Sequence, residues 1–406
     1  MKMLRDLLQK LPGIGSDHML VVGGSYAIKI LFLVFQVLFV DYFGESNFAQ
    51  LTTTFSVIFI LQASSGLGIQ WSWLKYDQEL LRDNWSLPGL ILLGLLLSLL
   101  VSLVFKLVVL KFLGIDIEYL FVLLSLILVF EFFKMESRRT HNYKDFVLSE
   151  LIYTAVLMIA AVVVVIYDSQ RFEFAIIIAL LMPIIYLFTQ NRKWKQFFVL
   201  QKYRFQKIRG HVILYSISNS FGLVLNALYL NVIILASSRY LDDADAGITS
   251  YKIFVLIPMQ LIVVFSLIFF TDFKLIEKLN LSGIRGYLKG KRWIQISLIG
   301  IFLLYFIIYE FALSDRYAVI DLLAKLTFLV YMAVSIMFRV PMANILNITG
   351  NSHLNLLNVL LSLILFLVPV HFSLIQHTLS TFFTLFNLVG IFNGLLAYFF
   401  YRWKVG

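Results

Sequence analysis

The sequence predicts an all-α, polytopic membrane protein with about 12 transmembrane helices in two six-helix bundles. Three observations predict it. Of 406 residues, 61% are apolar and 14% are charged, with a mean hydropathy of +0.90. A soluble domain carries roughly 25% charge, and one of this composition would expose large, aggregating apolar patches. The apolar residues fall in runs of about 20, the length that spans a bilayer as a helix. Lys and Arg concentrate in alternate loops, the signature of a fixed orientation across a membrane.

Twelve runs qualify. They cover 19–40, 48–70, 87–110, 115–133, 146–167, 172–189, 212–236, 248–271, 293–313, 318–338, 354–372 and 378–401. Lipid offers no partners to open backbone groups, so the runs are helices. They are continuously apolar rather than alternating, which excludes a β-barrel. The first run follows Lys2, Arg5 and Lys10, and at about 22 residues it is too long for the apolar core of a cleaved signal. It is read as the first span. The tenth run is the most polar, with Asp321 and Lys325.

With the N-terminus in the cytoplasm, 25 of the 33 Lys and Arg fall in inner segments and four in outer loops. The other four, Lys29, Lys106, Lys252 and Lys325, lie within spans. This predicts an even number of spans and both termini cytoplasmic. The densest inner segment is "NRKWKQFFVLQKYRFQKIRG", 191–210, with seven cations and no acid. In a soluble chain it would suggest nucleic acid. Here it is the loop between spans six and seven, and Trp194, Phe197, Phe198, Phe205 and Ile208 fall roughly on one helical face. It is expected to lie on anionic lipid headgroups, and no nucleic-acid partner is expected.

That loop divides the chain into an N-terminal bundle (1–190), a basic linker (191–210) and a C-terminal bundle (211–406). Six spans is an even number, so the second bundle re-enters with the orientation of the first. The two would be related by a pseudo-twofold along the membrane normal. "DYFGESNFAQ" after span one and "RYLDDADAGI" after span seven are faintly alike, with Tyr42 and Tyr240, and Glu45 and Asp243, at equal spacing.

Several chemistries are excluded. There are no cysteines, so no disulfide, thiolate metal site or Cys nucleophile. The six His show no metal spacing, and no phosphate-binding G-x-x-x-x-G-K-[ST] loop is present. No metal and no cofactor are expected.

The residues that could carry a mechanism are polar ones inside spans. A charge at mid-membrane costs about 2.5–3.5 kcal/mol on insertion scales, so it faces a cavity or a partner. Lys29, near the middle of span one, either holds an anion or pairs with an acid. Lys252, early in span eight, either lines a cavity or snorkels outward. Lys325 follows Asp321 at i,i+4 spacing, which suits a local ion pair or a role in substrate or proton coupling. Arg138 and Arg139 are adjacent guanidiniums suited to phosphate, or anchors of topology. Arg339 closes span ten on the inner side. Glu131 and Asp321 are candidates for ion coupling, with Asp272 and Glu310 behind them. Asn219 and Asn226, seven apart on span seven, share a face with each other. With Gln36 on span one they could hydrogen-bond a polar guest or hold helices together. Pro183, Pro258 and Pro369 lie inside spans and are expected to kink them.

Four stretches resemble the MOP superfamily of exporters, and within it the Wzx-type flippases of bacterial polysaccharide synthesis. They are "VDYFGESNFAQLTTTFSVIFILQASSGLGIQWSWLKY" (40–76, with the Gly66–Gly68 pair), "ESRRTHNYKDF" (136–146), "DAGITSYKIFVLIP" (245–258) and "NILNITGNSHLNLLN" (344–358). Their order and spacing, rather than any one motif, carry the resemblance, which covers nearly the whole chain. It implies a bacterial inner-membrane protein that is not an enzyme. Its cargo would be an undecaprenyl-diphosphate-linked oligosaccharide, moved by alternating access for O-antigen or other surface polysaccharide synthesis. A polysaccharide polymerase and a chain-length regulator are the implied partners. Each sugar hydroxyl costs roughly 4–8 kcal/mol to take from water into hydrocarbon, so such a protein must supply a wet polar path. Lys29, Lys252, Lys325, Arg138 and Arg139 would meet the diphosphate, and Asn219, Asn226 and Gln36 the sugars. The superfamily's drug exporters tend to have a carboxylate in the first span, where this chain has Lys29. A small-molecule or drug exporter of the same fold is the alternative. A polytopic glycosyltransferase or polymerase fits less well, because the outer loops are short.

Overall fold

The computed structural model describes residues 19–83, 85, 87–106, 118–140, 142–167, 171–190, 208–256, 281–313 and 320–404, with scattered positions from 258 to 279. The basic stretch 191–207, the outer-loop cations Lys111 and Arg316, and parts of spans three, four and eight lie outside the described residues.

Every described element is helical. The long elements are α1 (Gly24–Ser64), α4 (Leu87–Val104), α5 (Leu120–Arg139), α6 (Tyr143–Ile166), α7 (Phe172–Gln190) and α8 (Gly210–Tyr240). In the C-terminal half they are α11 (Arg292–Ile308), α12 (Leu322–Val334), α14 (Ser352–His371) and α15 (Leu379–Lys404). Shorter helices are α2 (Ile69–Lys75), α3 (Asp77–Arg82), α9 (Ala244–Tyr251), α10 (Leu281–Gly290) and α13 (Val340–Ile348). Among the described residues, nine helices are long and apolar enough to cross a membrane, and one of them, Gly24–Lys75, holds both of the first two expected spans. The chain is a multi-pass, all-helical membrane protein.

Local sequence explains the breaks. Gly44 divides α1 with φ +83° and ψ 166°, a conformation only glycine adopts cheaply, so spans one and two meet at a sharp corner. Asn142 and Asp243 cap α6 and α9 by accepting backbone N–H bonds from Asp145 and Ala246. The tenth span differs from expectation. It runs through α12, a π-helical turn at Ser335–Arg339 and α13 as one membrane-length helix, Leu322–Ile348, rather than ending at 338. Arg339 therefore lies within this helix, nine residues before its end, rather than at a helix terminus.

The chain packs as two compact units. One is continuous, Thr54–Ala227. The other is split, combining the segment up to Thr53 with Leu228–Gly406. The six-plus-six repeat stays a proposal based on the charge pattern and the paired outer loops.

In the continuous unit, Gly66, Leu67 and Gly68 all have left-handed backbone, and they break the helix of span two before α2. The Gly66 N–H donates to Ser98 Oγ of α4 at 2.9 Å. A Cβ on Gly68 would lie 2.5 Å from the Ser216 carbonyl oxygen of α8, so only glycine permits that approach. In the split unit, α12 and α15 pack through Gly390 and Gly394. A Cβ at either would fall within 2.4 Å of Tyr331 or Val334. This is the small-xxx-small device that lets membrane helices pack closely. Buried amides bind α15 to two neighbours: Asn387 Nδ2 donates to the Ala324 carbonyl of α12, and Asn358 Nδ2 of α14 to the carbonyl of Asn393.

Candidate functional site

Buried polar residues on expected spans of the split unit include several of the sequence candidates. On α1, Tyr26, Lys29 and Gln36 are spaced by three and seven residues and so share one helical face. Gln36 is 2% exposed. Lys252 follows α9 and is 6% exposed. Lys29 and Lys252, from different expected spans, both belong to the split unit. Among the described residues, the Tyr26 hydroxyl, both amide atoms of Gln36 and the Thr249 hydroxyl are buried without a hydrogen-bond partner. More than nine-tenths of buried polar groups in proteins are satisfied. These three orphaned side chains lie on the same stretches of chain as Lys29 and Lys252.

The backbone at Lys252 is also unusual. Lys252–Leu256 is a π-helical turn, and Pro258 follows it by two residues. The same pattern recurs at Ser335–Arg339, followed by Pro341. Proline has no N–H and its ring presses on the carbonyl four residues back, so carbonyls are freed upstream. A single helix, α11, supplies donors to both turns. The Tyr305 hydroxyl donates to the Ile253 carbonyl, and Gln295 Nε2 to the Ile336 carbonyl at 3.2 Å. At Pro183 and Pro369 the helices α7 and α14 continue without a π-helical turn, so proline alone is not sufficient. A third π-helical turn, Tyr309–Leu313, presents Glu310. Three such turns thus place Lys252, Glu310 and Arg339, and π-bulges concentrate at functional sites.

The other expected residues separate. Lys325 pairs with Glu310 at 2.8 Å rather than with Asp321. Asp321 is exposed at the start of α12, in extended backbone, where its N–H donates to Ser380 Oγ. Adjacent residues on a helix point apart, and Arg138 and Arg139 do so. Arg139 binds Glu136 at 2.6 Å, lies 3.7 Å from Asp77 and stacks on Trp73, whose indole N–H also reaches Glu136. These bonds to Glu136 hold its pKa above the ordinary arginine value. Arg138 instead lies over the Phe146 ring at 4.4 Å. The two guanidiniums form no joint phosphate clamp.

Glu131 belongs to a buried network in the continuous unit. It accepts from Gln62 at 2.8 Å and from Lys134 at 3.0 Å, and Lys134 bridges on to Glu150 at 2.5 Å. Asn219 and Asn226 are half-buried on α8. The buried polar contacts of that helix in this unit are made by serines: Ser216 with Ser72 at 2.5 Å and Ser220 with the Ala63 carbonyl at 2.9 Å. Sequence reasoning missed Tyr26 and underrated Arg339. The i,i+3 spacing of Tyr26 to Lys29 was a usable signal. Nothing in the pattern showed that the helix continues past Arg339.

No family profile matches the chain, and no curated protein matches it in sequence. Solved structures do. An outward-facing multidrug resistance MATE family transporter of the MOP superfamily aligns with TM-score 0.66 at 14% identity over 96% of both chains. A MATE protein in the straight conformation aligns with TM-score 0.66 at 12% identity, again over 96% of each. A MOP superfamily transporter from Pyrococcus furiosus, whose structure is described as having a binding pocket of reverse polarity that suggests a different function, gives 0.60 at 13%, with 96% of each chain covered. At these identities the likeness speaks for architecture, and the chain has the fold of the MATE transporters of the MOP superfamily.

Proposed function

We propose that this protein is an exporter whose cargo is anionic and amphipathic, and that the cargo is an undecaprenyl-diphosphate-linked oligosaccharide. The observation that carries the reading is that Lys29 and Lys252 fall in one compact unit, each three residues from an orphaned buried hydroxyl, Tyr26 and Thr249, with the orphaned amide of Gln36 two turns beyond Lys29 on α1. A diphosphate carries the negative charge to engage both ammonium groups. The amide and hydroxyls supply donors and acceptors for a sugar. The lipid tail stays in the bilayer, and no covalent step is needed. The Wzx-type resemblance of four sequence stretches supports the same cargo, an inner-membrane location, and a polymerase and chain-length regulator as partners. For ion coupling, Glu131 is the stronger proposal, because it already exchanges contacts within a charged network, whereas Asp321 is exposed.

A drug exporter is the second reading, favoured by the multidrug description of a structural neighbour. A cationic drug would be repelled by the lysine pair. The test is reconstitution into vesicles with a fluorescent undecaprenyl-diphosphate oligosaccharide, following its protection from a membrane-impermeant quencher. Translocation that Lys29→Gln and Lys252→Gln each reduce is the expected result. Folded wild-type protein that leaves the lipid in place under every ion gradient would remove the flippase reading.

A further inference from the structure

Arg339 lies nine residues before the end of the helical run Leu322–Ile348 and 17 after its start. At 1.5 Å per residue those are about 14 Å and about 25 Å, so the arginine lies within the body of a helix long and apolar enough to span a bilayer. An arginine within the body of such a helix is a functional-site candidate by default. Its surroundings are built to hold it. Nη1 donates to the Tyr331 hydroxyl at 2.8 Å, and the guanidinium sits 5.0 Å from the centre of the Tyr229 ring. Tyr229 and Tyr331 are both 0% exposed. Tyr331 is fixed from behind by Gly390, where any Cβ would meet its ring at 2.3 Å, and its hydroxyl donates on to Met259. Tyr229 stacks on Phe386 at 5.0 Å. One turn before Arg339, on the same helical face, the Ser335 hydroxyl is buried without a hydrogen-bond partner among the described residues.

We infer that Arg339, Tyr331 and Ser335, backed by Tyr229, form a second anion site in the split unit, shaped for phosphate oxygens. A guanidinium has five N–H donors in a planar fork that matches phosphate. Tyrosine fixes the plane of the fork, and the cation–π contact compensates part of its lost hydration. The π-helical turn at Ser335–Arg339, braced by Gln295, widens the helix where the arginine leaves it. The Ser335 hydroxyl is placed to donate to the same anion. This goes beyond the reading of Lys29 and Lys252, and its test needs binding but no transport. The phosphate could belong to the cargo lipid, to a resident bilayer lipid or to a soluble anion.

The experiment is calorimetric titration of the purified full-length chain with inorganic pyrophosphate. We expect Arg339→Gln to abolish one binding component. Arg339→Lys, which keeps charge but loses the fork, and Tyr331→Phe, which is isosteric, should weaken that component about tenfold. The double variant Lys29→Gln/Lys252→Gln should leave it intact, separating this site from the proposed cargo site. If Arg339→Gln fails to fold, the lysine and phenylalanine variants decide. Wild-type affinity in both of those, or no pyrophosphate binding by the wild type, overturns the inference. Repeating the titration in nanodiscs of phosphatidylglycerol and of phosphatidylcholine identifies the source. Competition by phosphatidylglycerol alone supports a bilayer headgroup at Arg339, and equal binding in both supports a cargo or soluble phosphate there.

Discussion

Single residues determine the closest contacts in this protein. Gly68 combines φ +76° with a backbone oxygen where its Cβ would be. Gly68→Ala should therefore lower stability by about 2–3 kcal/mol through strain and overpacking. Gly286→Ala, on an open helix face, should leave it unchanged or slightly higher. Thermal unfolding in detergent checks both. Glu45 gives a prediction with a pH sign. Burial, and after it Asp243 and Asp245, push its carboxyl above the ordinary value. Between the ordinary and the raised pKa the folded state binds more protons than the unfolded one, so stability falls as pH rises through that window. Glu45→Gln should raise the melting temperature above the window and leave it unchanged below. An equal gain at all pH values would mean the effect is not electrostatic. The Lys325–Glu310 pair makes a third case: Glu310→Gln should destabilise, while Asp321→Asn should shift stability by less than about 0.5 kcal/mol.

At the scale of elements, the unusual features are the π-helical turns and the helix that braces two of them. Tyr305→Phe and Gln295→Leu each remove the donor to a freed carbonyl. Each should cost about 1–3 kcal/mol, with loss of transport tracking loss of stability. Much of the element pattern was legible in the sequence, because 20-residue apolar runs between charged turns leave few alternatives to spanning helices. The corner at Gly44 and the break at Gly66–Gly68 fall at glycines the sequence displays. Two things were not legible. Proline marks a helix irregularity but does not say whether the helix ends, kinks or widens. That depends on donors from another helix, here Gln295 and Tyr305. For this reason the tenth span was drawn to end at 338, and Arg339 was placed outside the membrane. Pairing partners were also hidden. Asp321 is the nearest acid to Lys325 in sequence, but Glu310 is the one that reaches it, because contact across helices depends on packing that local spacing does not encode.

At the scale of the whole molecule, charge asymmetry sets the proposed orientation. The natural absence of cysteine makes this testable without further changes. Single cysteines introduced at Gln201 and at Gly350 should be labelled only from the cytoplasmic side, and one at Asp242 only from the outside. The opposite pattern would invert every inner and outer assignment. The site residues were only partly readable at this scale. Lys29, Lys252 and Gln36 gather in one unit as intramembrane polar residues should. Arg138 and Arg139 do not, since neighbours on a helix cannot share a face. The central claim is that the lysine pair selects an anionic cargo. Its most direct test compares two cargoes in the same vesicles, an undecaprenyl-diphosphate oligosaccharide and a lipophilic cationic dye, for wild type and for Lys29→Glu/Lys252→Glu. The account predicts that wild type moves the diphosphate lipid and not the dye, and that charge reversal abolishes movement of the lipid. Export of the dye by wild type, with lipid movement absent or indifferent to the reversal, would contradict it.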